Sequence, residues 1–180
     1  MNDLNRMNKL ISDISEFTRT QAEVEKQKFE KFELNKFIND LKLSFAQNNK
    51  QIKILFESKE DSILIQTNMS KLAQVFINII ENAISFSPKK SNIKIIQIIE
   101  DNRIIIYLVD QCCGIDQQLK EKIFERFYTD RGKKNEYHTG LGLSISKKIM
   151  QSLGGSLELS GKIIVGYNGA CFKIELPIEG

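Results

Sequence analysis

Cysteine and histidine are scarce in this chain, three and one respectively among 180 residues. Cys112 and Cys113 are adjacent and Cys171 is remote, so they outline no disulfide framework, and His138 alone cannot complete a zinc site with them. That usage fits a reducing, cytosolic setting. Long apolar runs are also missing. Nothing reaches the roughly 18 residues of a membrane-crossing helix, and Met1 is followed by polar residues, so neither a span nor a signal peptide is expected and the chain as it stands reads as soluble. Charge of one sign is lacking too: Lys+Arg 26 against Asp+Glu 23 leaves a net +3 spread without a block, which gives no reason to expect nucleic acid as a partner. Internal repeats and low-complexity tracts are absent. What remains is a chain long enough to bury one sizeable core with a short appendage.

Residues 2–28 read as one helix, with Leu4, Met7, Leu10, Ile11, Ile14, Phe17 and Val24 spaced by three and four. A stripe of this kind needs cover, from its own copy in a dimer or from a further helix. Residues 30–33 read as a charged connector with Phe29 and Phe32 as packing anchors, and residues 34–48 as a second amphipathic helix. Two short strands are expected over 51–57 and 63–67, on either side of a polar turn. Thr67 or Asn68 should cap a helix that Pro88 ends. Residues 93–99 and 103–109 read as an antiparallel pair, 121–126 as a short helix, 128–139 as a loop, and 141–153 as a helix closed by Gly154-Gly155. Strands over 156–160 and 170–176 complete the chain. Helices interleaved with hairpins predict an α+β fold, a two-layer α/β sandwich whose mixed, mostly antiparallel sheet is covered by helices on one face, with an N-terminal helical segment.

The stretch from Gln74 to Pro88 is the most informative. At ~100° per residue, Leu72, Val75, Phe76, Ile79, Ala83 and Phe86 fall on one apolar arc, with Asn78, Asn82 and Ser85 at its edge. Two amides one turn apart face one spot. Downstream, Asp110 sits at a strand end before glycine, as a buried acceptor for an exocyclic amine would. Gly140-Leu141-Gly142 opens a helix, whose unsatisfied N–H groups can receive phosphate.

In order and spacing, the asparagine helix, Asp110–Ile115 (DQCCGI), Ile123–Tyr128 (IFERFY) and Thr139–Ile145 (TGLGLSI) resemble the N, G1, F and G2 boxes of sensor histidine kinases, over about the last three quarters of the chain. The wording YTDR…TGLGLSISK is close to the alphaproteobacterial envelope-sensing subgroup related to ChvG. Residues 4–19 also resemble the second helix of the dimerisation hairpin that precedes such a catalytic domain. The resemblance implies residues 1–30 as partial dimerisation helix and linker and 31–180 as an ATP-binding catalytic domain of the GHKL, or Bergerat, fold. It implies ATP and Mg2+ as cofactors, with Asn78, Asn82, Asp110, Gly114, Ile115, Phe127, Arg131, Thr139, Gly140, Leu141, Gly142 and Leu143 around the nucleotide. Asn82 would ligate magnesium and Asn78 would support it; Asp110 would fix adenine; Phe124 and Phe127 would anchor the base of the loop.

No residue of the chain is marked as catalytic. His138 lies outside any His-Glu-x-x-x-Pro-like sequence, so the phosphoacceptor histidine and the base beside it belong elsewhere, and this chain alone should not autophosphorylate. Implied partners are the dimerisation and phosphoacceptor domain of the same protein, a response regulator receiver domain, and a second copy in a full-length homodimer anchored in the inner membrane. Three positions depart from the pattern: Cys112 stands at the first glycine of Asp-x-Gly-x-Gly, Ser85 at a phosphate-binding lysine, and Thr129 at an arginine, leaving Lys89, Lys90, Arg131 or Lys133 to compensate. These departures also allow a degenerate nucleotide-binding or dimerisation module. Chaperone and mismatch-repair ATPases and the anti-sigma-factor serine kinases place a glutamate where this chain has Asn78, which separates it from them.

Overall fold

A computed structural model of the chain describes residues 28–48, 51–129 and 139–178. The helix expected over residues 2–28 lies, but for its last residue, outside them. In chain order the elements are β1 (Glu30–Glu33), α1 (Leu34–Asn48), β2 (Lys53–Ser58), β3 (Leu64–Thr67), α2 (Met69–Phe86), β4 (Asn92–Glu100), β5 (Arg103–Val109), two short 3-10 turns (Gln117–Leu119 and Lys122–Phe124), α3 (Gly142–Ser152), β6 (Ser156–Leu159) and β7 (Cys171–Pro177).

Strands β2, β4, β5, β7 and β6 lie side by side in that order, with β2 parallel to β4 and every other pair antiparallel. This is the mixed, mostly antiparallel sheet that the hairpin pattern implies. Asp101 and Asn102 turn β4 into β5 with φ of 49° and 60°, the left-handed backbone that a two-residue hairpin needs to match strand twist. Along β4, Ile93 and Ile95 point into the helical layer and are fully or almost fully buried, the alternation of a sheet with one covered face. The helices pack on that face. Leu72, Val75, Phe76, Ile79, Ile80 and Ala83 of α2 are buried, and Phe76 meets Phe37 of α1 edge-on at 5.7 Å between ring centroids. Each of these side chains larger than alanine contributes about 1.5–3 kcal/mol on leaving water. The other face of the sheet carries a smaller cluster of Ile105, Tyr107, Val109 and Cys171, flanked by Ile96, Ile98, Ile164 and Tyr167.

Local signals set the helix ends. Asn68 is the cap of α2, its Oδ1 accepting the Lys71 N–H at 3.0 Å, while Thr67 belongs to β3. Glu33 accepts the Asn35 N–H at 2.8 Å at the start of α1. Inside the core, Gln97 interrupts the isoleucines of β4 and donates to Asn35 Oδ1 at 2.6 Å and Ser58 Oγ at 3.1 Å, tying α1 to two strands.

Three expectations are corrected. Residues 30–33 form a strand rather than a connector, because β3 offers a free edge and pairs with them from Glu30–Thr67 to Glu33–Leu64. The two strands expected around a polar turn are present at 53–58 and 64–67, and they join different sheets. The segment at 121–126 keeps only one 3-10 turn, Lys122–Phe124. Phe86 is 44% exposed and lies off the buried arc, since α2 ends there at the sheet edge, whereas Ile80 is fully buried.

The carboxyl end of α3 is fixed by fit. Gly154 and Gly155 donate back to Gln151 O and Met150 O, and a Cβ at Gly155 would stand 2.2 Å from Glu175 O and 2.8 Å from Met150 Cε. Gly155→Ala should therefore cost about 1–3 kcal/mol by overpacking. Gly161→Ala, with no neighbour within 4 Å, should stay within about 0.5 kcal/mol. Urea denaturation of the two variants checks the contrast; equal midpoints would refute it.

Candidate functional site

At the end of β5 the chain turns at Asp110, a carboxylate only 3% exposed. Its Oδ1 accepts two backbone N–H groups, from Cys112 at 2.9 Å and from Ala170 at 3.2 Å. Neither bond uses Oδ2, which remains as the acceptor this turn can present. Backbone bonds between Asp110 and Ala170 and between Gly169 and Asp110 lock the same turn to the entry of β7. Burial raises the Asp110 pKa above the ordinary carboxylate value, and the two N–H donors only partly oppose it. The group is thus an anchored carboxylate in a poorly solvated place, suited to a neutral donor such as an exocyclic amine.

Gly169 makes that packing possible. A Cβ there would fall 1.7 Å from Asp110 Oδ1 and 2.7 Å from Cys112 N. Gly114, at φ +77°, turns the chain beside Asn168, whose carbonyl would lie 3.1 Å from an added Cβ, and Ile115 packs half-buried against the main core. Gly169, Ala170 and Asn168 escape the sequence reading. The signal was there as Asn168-Gly169, a turn pair before the last strand, but nothing local says what that turn closes upon.

Asn78 connects α2 with α3. Its Nδ2 donates to Gly142 O at 3.3 Å and Ser146 Oγ at 3.1 Å, so both bonds leave Oδ1 unused and hold the amide in one orientation. Ser146, fully buried, is a second residue the sequence does not single out, although it lies one turn beyond Gly142. Asn82 is half-buried one turn after Asn78. Its backbone carbonyl accepts Ser85 Oγ at 2.8 Å, which turns Ser85 back on its own helix. An oriented amide oxygen beside a second amide is a donor set that suits a hard cation keeping most of its water.

Residues 139–143 open α3. Thr139 Oγ1 accepts the Leu141 N–H at 3.4 Å, and among the described residues no side chain caps the helix at Leu141. The first-turn N–H groups of Gly142 and Leu143 have no partner within the helix. With the positive end of the helix dipole they form a place for anionic oxygens. Leu141 is buried and Leu143 half-buried, so the leucines after each glycine hold the start of α3 to the core.

Gly140, at φ +70°, lies against Phe127, where a Cβ would meet Phe127 C at 2.6 Å. The Phe127 N–H donates to Gly140 O at 3.0 Å. The two aromatics of the 123–128 segment therefore act differently. Phe124 is buried and meets Phe172 edge-on at 6.4 Å, whereas Phe127 is 62% exposed with φ 61°, and its backbone rather than its ring makes the attachment. Lys147 of α3 reinforces the junction from outside, pairing with Glu121 at 2.9 Å over the Phe124 ring. Arg131, Lys133 and His138 lie outside the described residues.

These contacts gather the separated segments. Gly142 meets Asn78, Gly140 meets Phe127, and the N–H of Asn92, just past α2, donates to Gln111 beside Asp110 at 2.7 Å. The start of β4, which follows α2 in the chain, thus lies beside the Asp110 turn.

Residues 67–180 match the family described as Histidine kinase-, DNA gyrase B-, and HSP90-like ATPase. Sensor protein ChvG of Rhizobium meliloti is 33% identical over 190 aligned positions, covering 97% of this chain and 33% of that protein. The chain thus spans about a third of its length. Among solved structures, a nucleotide-free catalytic domain of histidine kinase ThkA superposes with a TM-score of 0.73 at 29% identity, covering 85% of this chain and 99% of that one. Histidine kinase ThkA in complex with response regulator protein TrrA gives a TM-score of 0.77 at 26% identity, covering 98% of this chain and 48% of that one.

Since Gly169 lets the Asp110 turn close, Gly169→Ala should open it. We expect a loss of about 1–3 kcal/mol in stability, with displaced amide resonances for Cys112 and Ala170. Unmoved resonances would show that the turn does not depend on this approach.

Proposed function

The chain belongs to the histidine kinase-, DNA gyrase B- and HSP90-like ATPase family, and from that membership we propose that it is the ATP-binding catalytic domain of a two-component sensor histidine kinase. In this reading residues 31–180 form the catalytic domain, and residues 1–30 carry part of a dimerisation helix and a linker. The observation that supports it most directly is the Asn78 amide held against the first turn of α3, whose leading N–H groups have no partner within the helix, together with Asp110 as an anchored buried carboxylate at the end of β5.

Each part has one task. Asp110 accepts the adenine amine through Oδ2, its Oδ1 being held by Cys112 and Ala170. The N–H groups at Gly142 and Leu143 take phosphate oxygens. Magnesium, when bound, offsets the triphosphate charge; Asn82 Oδ1 would hold it, with Asn78 Oδ1 in support and phosphate and water completing the shell. Positioning and charge neutralisation make up the protein's contribution.

Asn78 also sets the class of reaction. An amide cannot take a proton from an attacking water or hydroxyl, and this one is already committed to α3. The site then presents the γ-phosphoryl group without a base of its own. That suits transfer to a histidine outside this chain, on the dimerisation and phosphoacceptor domain of the same protein. By analogy with the ThkA–TrrA complex, a response regulator receiver domain is the next acceptor; the likeness to sensor kinases further implies a full-length homodimer anchored in the membrane. No helix among the described residues is long and apolar enough to cross a membrane, so an anchor would belong to other parts of the protein.

Calorimetry of the chain with ATP should show binding that weakens when magnesium is removed. Asn82→Ala and Asp110→Ala should each cost about tenfold or more, the loss of a charged or metal-bridged contact of about 1.5–3 kcal/mol. No heat from the wild-type chain at millimolar ATP would sink the proposal in favour of a degenerate module.

Acidification supplies a second test. The adenine amine needs the ionised carboxylate, and the Asp110 pKa is raised by burial. Affinity should therefore fall, as pH is lowered, while still above the ordinary carboxylate range, and Asp110→Asn should lose that dependence. A wild-type affinity that stays flat down to the usual carboxylate range would count against Asp110 as the adenine acceptor.

A further inference from the structure

Two thiols stand inside the Asp110 turn with no part in the chemistry above. Cys112 Sγ and Cys113 Sγ are 3.4 Å apart; Cys113 is exposed and Cys112 half-buried. The backbone N–H of Cys112 is one of the two donors on Asp110 Oδ1. The same nitrogen would lie 2.7 Å from a Cβ at Gly169, so the turn has no slack on that side. Cys112 also fills a position where a side chain is out of pattern.

We propose that Cys112 and Cys113 form a reversible dithiol modification site, which a low-molecular-weight disulfide oxidises to a vicinal disulfide and which thereby controls how Asp110 is presented. The exposed Cys113 thiolate attacks the small disulfide, forming a mixed disulfide and releasing one small thiol. Cys112 then attacks the Cys113 sulfur, the mixed bond breaks and the second small thiol leaves. The protein loses two electrons and two protons, and the small disulfide gains both as two thiols. Burial, then the neighbouring Cys113 thiol, push the Cys112 thiol above its ordinary pKa, which agrees with Cys113 attacking first.

Geometry makes the bond both consequential and labile. Adjacent residues have Cα atoms about 3.8 Å apart, closer than the roughly 4.4–6.8 Å of ordinary disulfides. Closing the bond must distort the Cys112–Cys113 peptide, and Gly169 blocks relief on one side, so the displacement falls on the Cys112 N–H and its bond to Asp110. A strained, exposed disulfide is also readily reduced, which makes the change reversible. The effect on nucleotide rests on the function proposed above; formation of the disulfide does not.

The test treats the reduced chain with oxidised glutathione. Intact mass and peptide mapping should find two hydrogens lost within residues 110–114. The Ala170 amide resonance should shift, and affinity for magnesium-ATP should fall about tenfold, within the usual range of coupling between sites; dithiothreitol should restore both. Cys113→Ser should keep the reduced-state affinity and become insensitive to oxidant, while Cys112→Ser should trap a glutathione adduct on Cys113. A stable adduct on the wild-type chain, or no reaction, overturns the site. A disulfide that leaves the Ala170 resonance and the affinity unmoved overturns its control of Asp110. If the reduced chain binds no ATP, the proposed function fails by itself, and the mass and the resonance still decide the dithiol.

Discussion

Two backbone N–H groups on one carboxylate oxygen hold the end of β5 to the start of β7. Asp110 is buried, and a buried carboxylate is tolerated only where donors replace the water it has lost. Cys112 provides one from the next turn, and Ala170 provides the other from the start of β7. The arrangement requires β5 and β7 to be neighbours, which they are along their whole length. It also requires a residue without a side chain at Gly169. One oxygen is thus spent on structure, and neither bond uses the other.

The helical layer follows a similar logic. Asn78 lies on the flank of a helix whose opposite side is almost wholly apolar, and its amide reaches across to the first turn of α3. That bond keeps the start of α3 against α2. The Phe127–Gly140 pairing does for the 128–139 segment what Asn78 does for the helices, bringing its two ends together by a backbone bond and a glycine at positive φ. Polar groups of low intrinsic energy thereby fix the relative positions of elements that the hydrophobic core alone would allow to slide.

Periodicity made much of the fold legible. The bounds of α1 and β5 agree with their spacing, and those of α2, β4 and α3 differ by a residue or two, because each buries one regular face or stripe. Patterns failed where pairing, rather than periodicity, decides. Residues 30–33 carry alternating charge and look like a connector, yet the edge of β3 makes them a strand. Gln97 breaks the isoleucine pattern of β4, and its Nε2 donates to Asn35 and Ser58, 62 and 39 residues away. Phe127 reads as a second anchor beside Phe124, yet its left-handed backbone turns the ring outward.

The sequence by itself determined the order of the boxes, the amide at position 78 where a base would otherwise stand, and the sulfur at position 112. These are facts of side-chain chemistry, and no folding can change them. Tertiary structure decided which groups meet. Asp110 finds its second donor 60 residues away and Asn78 its partners 64 and 68 away, distances over which local propensity carries no information. The likeness to sensor kinases could therefore be read from motifs. That Gly169 and Ser146 support the site could be read only from the packing, since a glycine or a serine takes its role from what approaches it.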